Sequence, residues 1–157
     1  MTTDPAPPAG PDPAPPAGPD PAVQRALDFV AVHHHAVLVT HRSGGGLQTS
    51  PVAAGVDADR RIIVSTPSRT AKARNLRQDP RATLCVVTDA WFGPWAHVDA
   101  DGEVVAQPDA LPLLEDYYRR LAGGHPDWAD YRRVMIAEDR VLLRLTPRHA
   151  AGPAATA

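Results

Sequence analysis

The sequence has little cysteine, lysine and aromatic character, and these scarcities limit what the protein can be. A single cysteine, Cys85, excludes an intramolecular disulfide and is typical of a reducing cytoplasm. No apolar run approaches the ~20 residues of a membrane-spanning helix, and the first residues have neither the basic nor the apolar region of a signal peptide. The formal net charge of −2 provides no bulk attraction to nucleic acid or to a membrane. We therefore expect a cytoplasmic protein without nucleic-acid or membrane partners.

Familiar chemical motifs are also missing. The sequence contains no Gly-x-Gly-x-x-Gly and no Walker-type Gly-Lys-Ser/Thr loop, so the common nucleotide-binding folds have no support. It shows no convincing Ser/His/Asp triad and no isolated pair of carboxylates. Three consecutive histidines at 33–35 invite a metal interpretation, but neighbouring side chains on a helix point about 100° apart. The sequence therefore predicts no metal site.

The N-terminal region is repetitive. Residues 4–19 are an octapeptide, Asp-Pro-Ala-Pro-Pro-Ala-Gly-Pro, followed by an identical copy. The repeat has no side chain large enough to build a core, so we expect residues 1–20 to be a disordered tail. A folded domain should follow over 21–152, with 153–157 as a short C-terminal tail. The Pro-x-x-Pro spacing leaves open that the tail recruits a partner, although a simple spacer explains it.

Six segments have the apolar pattern of short β-strands. They are residues 36–40, 47–56, 61–65, 81–88, 95–107 and 140–146. Helical spacing occurs at residues 21–33, 70–78, 111–121 and 126–136. Strands that follow one another without long intervening helices favour an antiparallel sheet, and closing that sheet removes its exposed edges. The sequence predicts a mainly β protein of the α+β class, built on a six-stranded antiparallel barrel.

Lys72 is the only lysine among sixteen lysine and arginine residues, and it lies in the segment 65–81. This segment joins an apolar strand to a short helix. A strand that ends in hydroxyls, here Ser65 and Thr66, and leads into a basic helix start is well suited to hold a phosphate. The segment therefore predicts binding of a phosphorylated cofactor.

The spacing within the short helix supports this interpretation. At 3.6 residues per turn, Arg69 and Lys72 lie on the same side as Leu76, which must face the barrel. The two cations should therefore lean toward the body of the protein, where they need an anionic partner. No carboxylate lies within the helix before Asp79 to supply one, so a bound phosphate is the expected partner. A solvated basic helix, whose long side chains reach into water, is the alternative.

Three stretches of the chain resemble a known family. The run Arg-Asn-Leu-Arg-Gln-Asp-Pro-Arg at 74–81 resembles the signature of the pyridoxamine 5'-phosphate oxidase-like split barrels, the PPOX class. Residues 118–133, with their Gly-Gly-His-Pro-Asp-Trp segment, and residues 139–149 are similar to the actinobacterial branch of that family. This branch uses the deazaflavin coenzyme F420 in place of FMN. The likeness covers residues 22–152.

The resemblance implies a six-stranded FMN-binding split barrel that forms a homodimer, with two cofactor sites at the subunit interface. By position, Lys72 would contact the cofactor phosphate or its acidic tail, and Arg69 would compensate for a basic residue that the family often has at Thr70. Polar side chains of two strands would hold the ribityl chain and the ring, and Trp95 or Trp91 would lie against the pocket. The cofactor-binding residues implied in this way are Gln48, Ser50, Ser65, Thr66, Arg69, Lys72 and Trp95.

A member of this branch would be an oxidoreductase that transfers a hydride between reduced F420 and an unsaturated, small-molecule acceptor. A cofactor that supplies the chemistry also explains the lack of a catalytic triad or metal cluster. His97 and Tyr131 are candidate proton donors by residue type and region alone. Two alternatives stay open: the same fold carrying FMN as an oxidase or flavin reductase, and a non-catalytic protein that binds F420 or flavin.

Overall fold

The computed structural model describes residues 18–90 and 92–156, so most of the predicted N-terminal tail lies outside the described residues. The strands are β1 (His35–His41), β2 (Leu47–Ala53), β3 (Gly55–Val56), β4 (Ile62–Pro67), β5 (Arg81–Val87), β6 (Trp95–Val105) and β7 (Arg140–Ala151). The helices are α1 (Pro21–Val32), α2 (Ala71–Gln78), α3 (Ala110–Ala122), α4 (Trp128–Ala137) and α5 (Pro153–Thr156). No helix in these two ranges has the length and apolarity needed to cross a membrane.

All seven strands belong to one antiparallel sheet with the order β2-β1-β5-β6-β7-β4-β3. The strands β2 and β3 are at opposite ends of this order, yet only Ala54 separates them along the chain. Since consecutive Cα atoms are about 3.8 Å apart, Ala53 and Gly55 must be close neighbours. The two edges of the sheet therefore lie side by side, and the sheet curls into a barrel.

The prediction of six strands is wrong by one, because residues 47–56 form two strands instead of one. At Ala54 the backbone N–H leaves the ladder and donates to the His34 carbonyl oxygen at 2.8 Å. The chain then crosses from one edge of the sheet to the other. The apolar pattern continues through this crossing, so the pattern alone does not reveal it.

The last strand, β7, extends to Ala151 instead of ending at residue 146 as predicted. Its second half pairs with the start of β6, after a register shift between Asp99 and Ala100. Pro147 lies opposite Ala100 at this irregularity, where a residue without an N–H interrupts no regular ladder bond. The proline therefore continues the strand, although in the sequence it resembles a stop.

The main core fills the barrel. It is built from inward-facing aliphatic residues of the strands and from one face of α1, and its fully buried members include Leu27, Val30, Leu38, Ile62, Leu84, Val98, Leu143 and Leu145. The helix α1 begins as predicted, with Pro21 in its first turn and the Asp20 carboxylate accepting the Ala22 N–H at 2.8 Å. The short α5 packs on α1, where Arg25 Nε donates to the Ala155 carbonyl oxygen at 2.8 Å.

A second, smaller core lies on the other face of β4 and β7, under α3 and α4. It joins Ile63 and Leu142 of the sheet to Leu114, Tyr131 and Met135 of the helices. Because neighbouring strand residues alternate between faces, β4 and β7 are buried on both sides. This explains why their sequences are continuous apolar runs.

The Gly-Gly-His-Pro-Asp-Trp segment shapes the connection between α3 and α4. The Asp127 carboxylate accepts the Asp130 N–H at 3.0 Å and caps α4, while His125 Nδ1 accepts the Asp127 N–H at 3.0 Å. The ring of Trp128 lies 4.3 Å from the Arg119 guanidinium carbon, which is the geometry of a cation–π contact. In this chain the motif therefore builds the start of a helix and its packing.

Candidate functional site

The barrel is open between β2 and β4, and we call this gap the split. The strand β2 pairs only with β1, and the two-residue β3 pairs only with Ile62 and Ile63 of β4. Beyond these two residues, no strand in the described part of the chain pairs with β4 on the side away from β7. The split is therefore bordered by residues 47–53 of β2 and residues 64–67 of β4, with α2 following directly after β4.

Four of the predicted cofactor residues border the split. Gln48 and Ser50 are half-buried on β2, on the side of that strand that faces into the barrel. Ser65 and Thr66 are near the end of β4. The structure thus brings together the strand residues that the sequence assigned to one site, although they are some fifteen positions apart in the chain.

The two hydroxyls on β4 point to opposite faces of the strand, since they are consecutive residues. Thr66 is 2% exposed, and its Oγ1 lies 3.2 Å from Thr70 Oγ1 at the start of α2. Ser65 is on the face that carries α3, where its Oγ accepts a hydrogen bond from Arg140 Nε at 3.0 Å. The structure therefore places only Ser65 where its hydroxyl has a charged neighbour, and it uses Thr66 to support the helix start.

The start of α2 has open hydrogen-bonding capacity. Thr70 is the N-cap residue, but its side chain makes no capping hydrogen bond because it is turned toward Thr66. The first N–H groups of a helix have no partner within the helix, and they carry the positive end of its dipole. Because no side chain caps them, these N–H groups can donate hydrogen bonds to a bound anion.

A buried polar contact ties α2 to the barrel. Asn75, 8% exposed, donates from Nδ2 to Oγ1 of Thr40, which is fully buried on β1. Thr40 lies directly opposite Gln48 in the pairing of β1 with β2. The contact therefore fixes the position of α2 relative to the strand that borders the split.

Lys72 is half-buried in the first turn of α2, as the sequence predicted. Burial lowers the pKa of its ammonium group, and the positive charge of Arg140 lowers it further. Within the described residues no carboxylate lies within 4.0 Å of this ammonium group. A bound anion would stabilise the charged form of Lys72, which burial and Arg140 disfavour.

Of the other cations of this segment, Arg69 is more exposed than the helical spacing predicted, whereas Arg74 and Arg77 are exposed as expected. Arg69 precedes the N-cap and is exposed, so the prediction that it leans toward the body of the protein is wrong. The reason is that α2 begins at Ala71, and Arg69 does not follow the helical periodicity. Arg74 donates to the Arg69 carbonyl oxygen at 3.1 Å, and Arg77 donates to Ser68 Oγ at 2.8 Å. These arginines brace the loop before α2.

Arg140, at the start of β7, is a residue that the sequence did not indicate for this site. It pairs in register with Pro67 at the end of β4. Its Nε donates to Ser65 Oγ, and its Nη1 lies 3.0 Å from the Glu138 carboxylate. Only the register of β7 against β4 reveals this contact, since 75 positions separate the two residues.

Tyr117 of α3 also borders the split. Its hydroxyl donates to the Ala53 carbonyl oxygen at 2.9 Å and lies near the backbone of Ser65. It therefore lies between the end of β2 and β4. Burial raises the pKa of this hydroxyl, while the nearby backbone of Ser65 and the charge of Arg140 oppose the rise.

Trp95 is the predicted cofactor residue that the structure places far from Lys72 in the same chain. It begins β6, whereas the end of that strand, Val105, lies beside the start of β7. Trp95 is 41% exposed and packs on Gly152, where a Cβ atom would lie 2.8 Å from the indole ring. Gly152 has a φ of +102°, so glycine meets both the close contact and the backbone conformation.

The two candidate proton donors are in other surroundings. His97 is on the outward face of β6, where its Nε2 lies 3.2 Å from the Asp99 carboxylate. Tyr131 is in the small core under α3, where its hydroxyl donates to the Leu114 carbonyl oxygen at 2.8 Å. Burial is the main cause that raises the pKa of Tyr131 to about 12. His97 therefore faces away from the split of its own chain, and Tyr131, although near Arg140 and Tyr117, directs its hydroxyl to the Leu114 carbonyl oxygen.

Three cavities on the described surface lie outside the split. They have volumes of about 300 to 590 Å³ and lie beside the start of α1, at the β1–β2 turn, and between α1 and α5. Over residues 18–90 and 92–156, no three His, Cys, Asp or Glu side chains are grouped as metal ligands would be. His34 and His35 diverge, since His34 Nδ1 contacts the Ala54 carbonyl oxygen and His35 pairs with Asp89.

The curled sheet, open between β2 and β4, defines a split β-barrel of the α+β class. The family described as pyridoxamine 5'-phosphate oxidase matches this chain over residues 22–152. The chain belongs to that family. This confirms the broader resemblance seen in the sequence.

Solved structures with the same fold include a conserved hypothetical protein of Mycobacterium tuberculosis, at 24% identity and a TM-score of 0.64, with 80% of each chain covered. A structure described as an F420 reductase has 18% identity and a TM-score of 0.61, over 79% of this chain and 94% of that chain. The heme storage protein of Vibrio cholerae has 14% identity and a TM-score of 0.59, over 80% of this chain and 89% of that chain. At these identities the likeness concerns the fold alone.

Proposed function

We propose that the protein binds coenzyme F420 in the split and acts as an F420-dependent oxidoreductase on an unsaturated organic acceptor. When bound, the reduced deazaflavin supplies the hydride. The observation that carries the proposal is the cationic end of the split, where a half-buried lysine lies in the first turn of an uncapped helix. One solved structure of the same fold is described as an F420 reductase.

The residues at this end of the split fit a phosphate group. A phosphate needs hydrogen-bond donors and positive charge, and both come from the start of α2 and from Lys72. Arg140 adds a second cation, and the hydroxyl of Ser65 lies beside it. Two cations, Lys72 and Arg140, lie at this end of the split. Glu138 pairs with Arg140 but is itself half-exposed, so the local charge favours a bound anion.

We assign different roles to the predicted cofactor residues. Lys72 neutralises the phosphate, and Ser65 donates a hydrogen bond to the cofactor. Thr66 acts through Thr70, whose hydroxyl it contacts, and so keeps the start of α2 open. Gln48 and Ser50 line the split beside the ring and the ribityl chain. Arg69 is exposed and Trp95 is distant from Lys72. Both would therefore contact the cofactor only where it extends beyond the split of one chain.

We also propose that the protein works as a homodimer. Several apolar side chains are exposed on the outward faces of the strands, notably Val37 (39%), Leu47 (53%) and Trp95 (41%). Exposed apolar side chains on the faces of a sheet are a common feature of protein interfaces. A second copy would cover these side chains and close the split, which is open in one chain. It would also bring the Trp95 of one copy toward the split of the other. Sedimentation equilibrium would give twice the chain mass, whereas a monomer at micromolar concentration would contradict the proposal.

A titration of the apoprotein tests the cofactor. We expect F420 to bind with a dissociation constant in the micromolar range or below and FMN to bind more weakly, followed by fluorescence at physiological salt. Preference for FMN would keep the fold and the phosphate site but move the chemistry to flavin oxidation or reduction. Tight F420 binding without turnover over a panel of enones, quinones and tetrapyrroles would indicate a carrier or sensor.

Cofactor binding should depend on pH through Lys72. The charged ammonium group binds the phosphate, so affinity is highest below the pKa of Lys72 in the free protein. Binding raises this pKa, and affinity therefore falls as the pH increases from the free value to the bound value. Since the free value lies below that of an ordinary lysine, the fall begins at lower pH than 10.5. The variant Lys72→Arg, whose guanidinium does not titrate in this range, should show a flat profile. An identical decline in both proteins would contradict the assignment.

A further inference from the structure

Arg140 and Ser65 form a contact whose direction has a consequence for ligand binding. Arginine has hydrogen-bond donors only, so in the 3.0 Å contact Arg140 Nε donates and Ser65 Oγ accepts. The hydroxyl hydrogen of Ser65 must then point away from Arg140. Among the described residues Ser65 Oγ has no other hydrogen-bond partner, so this hydrogen is available to a ligand.

The surroundings hold both groups in place. Arg140 is anchored at its other end by Glu138, at 3.0 Å, and its side chain is only 26% exposed. The Tyr117 hydroxyl lies near the backbone of Ser65 and donates to the Ala53 carbonyl oxygen at 2.9 Å. Since the guanidinium is held by two partners and its Nε–H occupies one lone pair of Ser65 Oγ, the O–H of Ser65 is left to donate to a ligand.

We propose that Arg140 is a positioning residue that sets Ser65 as a hydrogen-bond donor to the phosphate of the cofactor, and thereby selects the phosphorylated form. This inference rests on the proposed function. An O–H donor beside a cation favours a ligand oxygen that carries negative charge over a hydroxyl, because charged hydrogen bonds are stronger than neutral ones. The cation beside the serine increases the polarity of its O–H bond and adds to this preference.

Binding of two cofactor pairs by variants tests the inference. The pairs are F420 with its phosphate-free deazaflavin chromophore, and FMN with riboflavin. In Arg140→Met we expect the dissociation constant of the phosphorylated member to rise about 10-fold or more, while that of the phosphate-free member changes less than about twofold. Ser65→Ala should behave in the same way. The double variant should be no weaker than either single variant, because each change disables the same oriented donor, the Ser65 O–H.

Two further variants separate positioning from charge and from folding. Arg140→Lys keeps the charge and the pairing with Glu138 but has no Nε–H directed at Ser65, so it should lose as much selectivity as Arg140→Met. It also replaces that variant if methionine impairs folding. Arg144→Met is the matched control, since Arg144 lies on the same face of β7, is similarly buried at 21% exposure and pairs with Glu103. It should bind both members of each pair as the unmodified protein does.

The outcomes distinguish a failure of the proposed function from a failure of the role given to Arg140. If the unmodified protein binds neither phosphorylated cofactor, the proposed function fails. If it binds one of them and Arg140→Met weakens both members of the pair equally, or the effects of Arg140→Met and Ser65→Ala add fully, the inference is overturned and the proposed function stands. Full retention of selectivity by Arg140→Lys would also overturn it, because charge alone would then be sufficient.

Discussion

Replacing Lys72 by alanine should weaken binding of the phosphorylated cofactor by about 1–3 kcal/mol, the usual scale for a lost charged hydrogen bond. Lys72 is the one side-chain cation in the helical part of α2 that is half-buried, and no described carboxylate balances it. Its pKa is lowered by burial and by Arg140, so in the free protein its charge is partly uncompensated. A bound phosphate compensates this charge. Truncation of the side chain to alanine removes the stabilising interaction with the phosphate.

The same titration with suitable controls makes the Lys72 prediction specific. Arg74→Ala removes a cation from the exposed side of the same helix, where the guanidinium donates a hydrogen bond to the Arg69 carbonyl oxygen. We expect a change of less than about 0.5 kcal/mol for this variant. Stability to urea should be nearly unchanged in both variants, since neither residue belongs to the core. Cofactor affinity that is equal in Lys72→Ala and in the unmodified protein would remove the phosphate site from its proposed position.

Replacing Gly102 by alanine should destabilise the fold by about 1–3 kcal/mol, the range for overpacking a core. A Cβ atom at Gly102 would lie 2.7 Å from Leu145 Cδ2 and 2.9 Å from Leu76 Cδ2. Leu145 is fully buried and Leu76 is 4% exposed, so neither side chain has free space to move into. The Gly102 N–H also donates to the Pro80 carbonyl oxygen at 2.7 Å, which holds the chain after α2 close to β6.

The effect of Gly102→Ala should reach the cofactor site, because Leu76 belongs to α2. Relief of the clash moves this helix away from the barrel and carries Lys72 with it, so cofactor affinity should fall together with stability. Urea unfolding and cofactor titration measure the two effects. Gly124→Ala is the matched control, since a Cβ atom there meets nothing within 4 Å, and it should stay within about 0.5 kcal/mol. Unchanged stability of Gly102→Ala would show that the contact between α2 and β6 is looser than the structure indicates.

The local features of this fold follow from short stretches of sequence. The start of α1 at Asp20-Pro21 depends on a cap and a proline that are adjacent in the chain. The segment 65–81 contains its hydroxyls, its lysine and its helix within seventeen positions, so the sequence alone indicates a phosphate site there. The role of the Thr70 hydroxyl, in contrast, does not follow from the local sequence. Thr70 occupies the N-cap position, but its hydroxyl contacts Thr66 and does not cap the helix.

Features that depend on strand register lie beyond the sequence pattern. The contact of Arg140 with Ser65 exists only because β7 pairs with β4 in one register. The division at Ala54 arises because the sheet closes there, and closure is a property of the whole barrel. Likewise, Pro147 continues β7 because the irregularity near Asp99 provides a place for it. None of these follows from the periodicity of a single segment.

By itself the sequence determined the type and approximate position of most elements, the family signature, and the position of Lys72 at the start of a helix. These properties depend on residues a few positions apart, where periodicity, capping and residue chemistry act directly. Only the tertiary structure decided that Arg140 and Tyr117 meet Ser65, that Thr66 supports α2, and that Trp95 lies far from Lys72. Those relations come from pairing and packing between distant segments, and the free energy of such contacts is set by the closed barrel and its two cores.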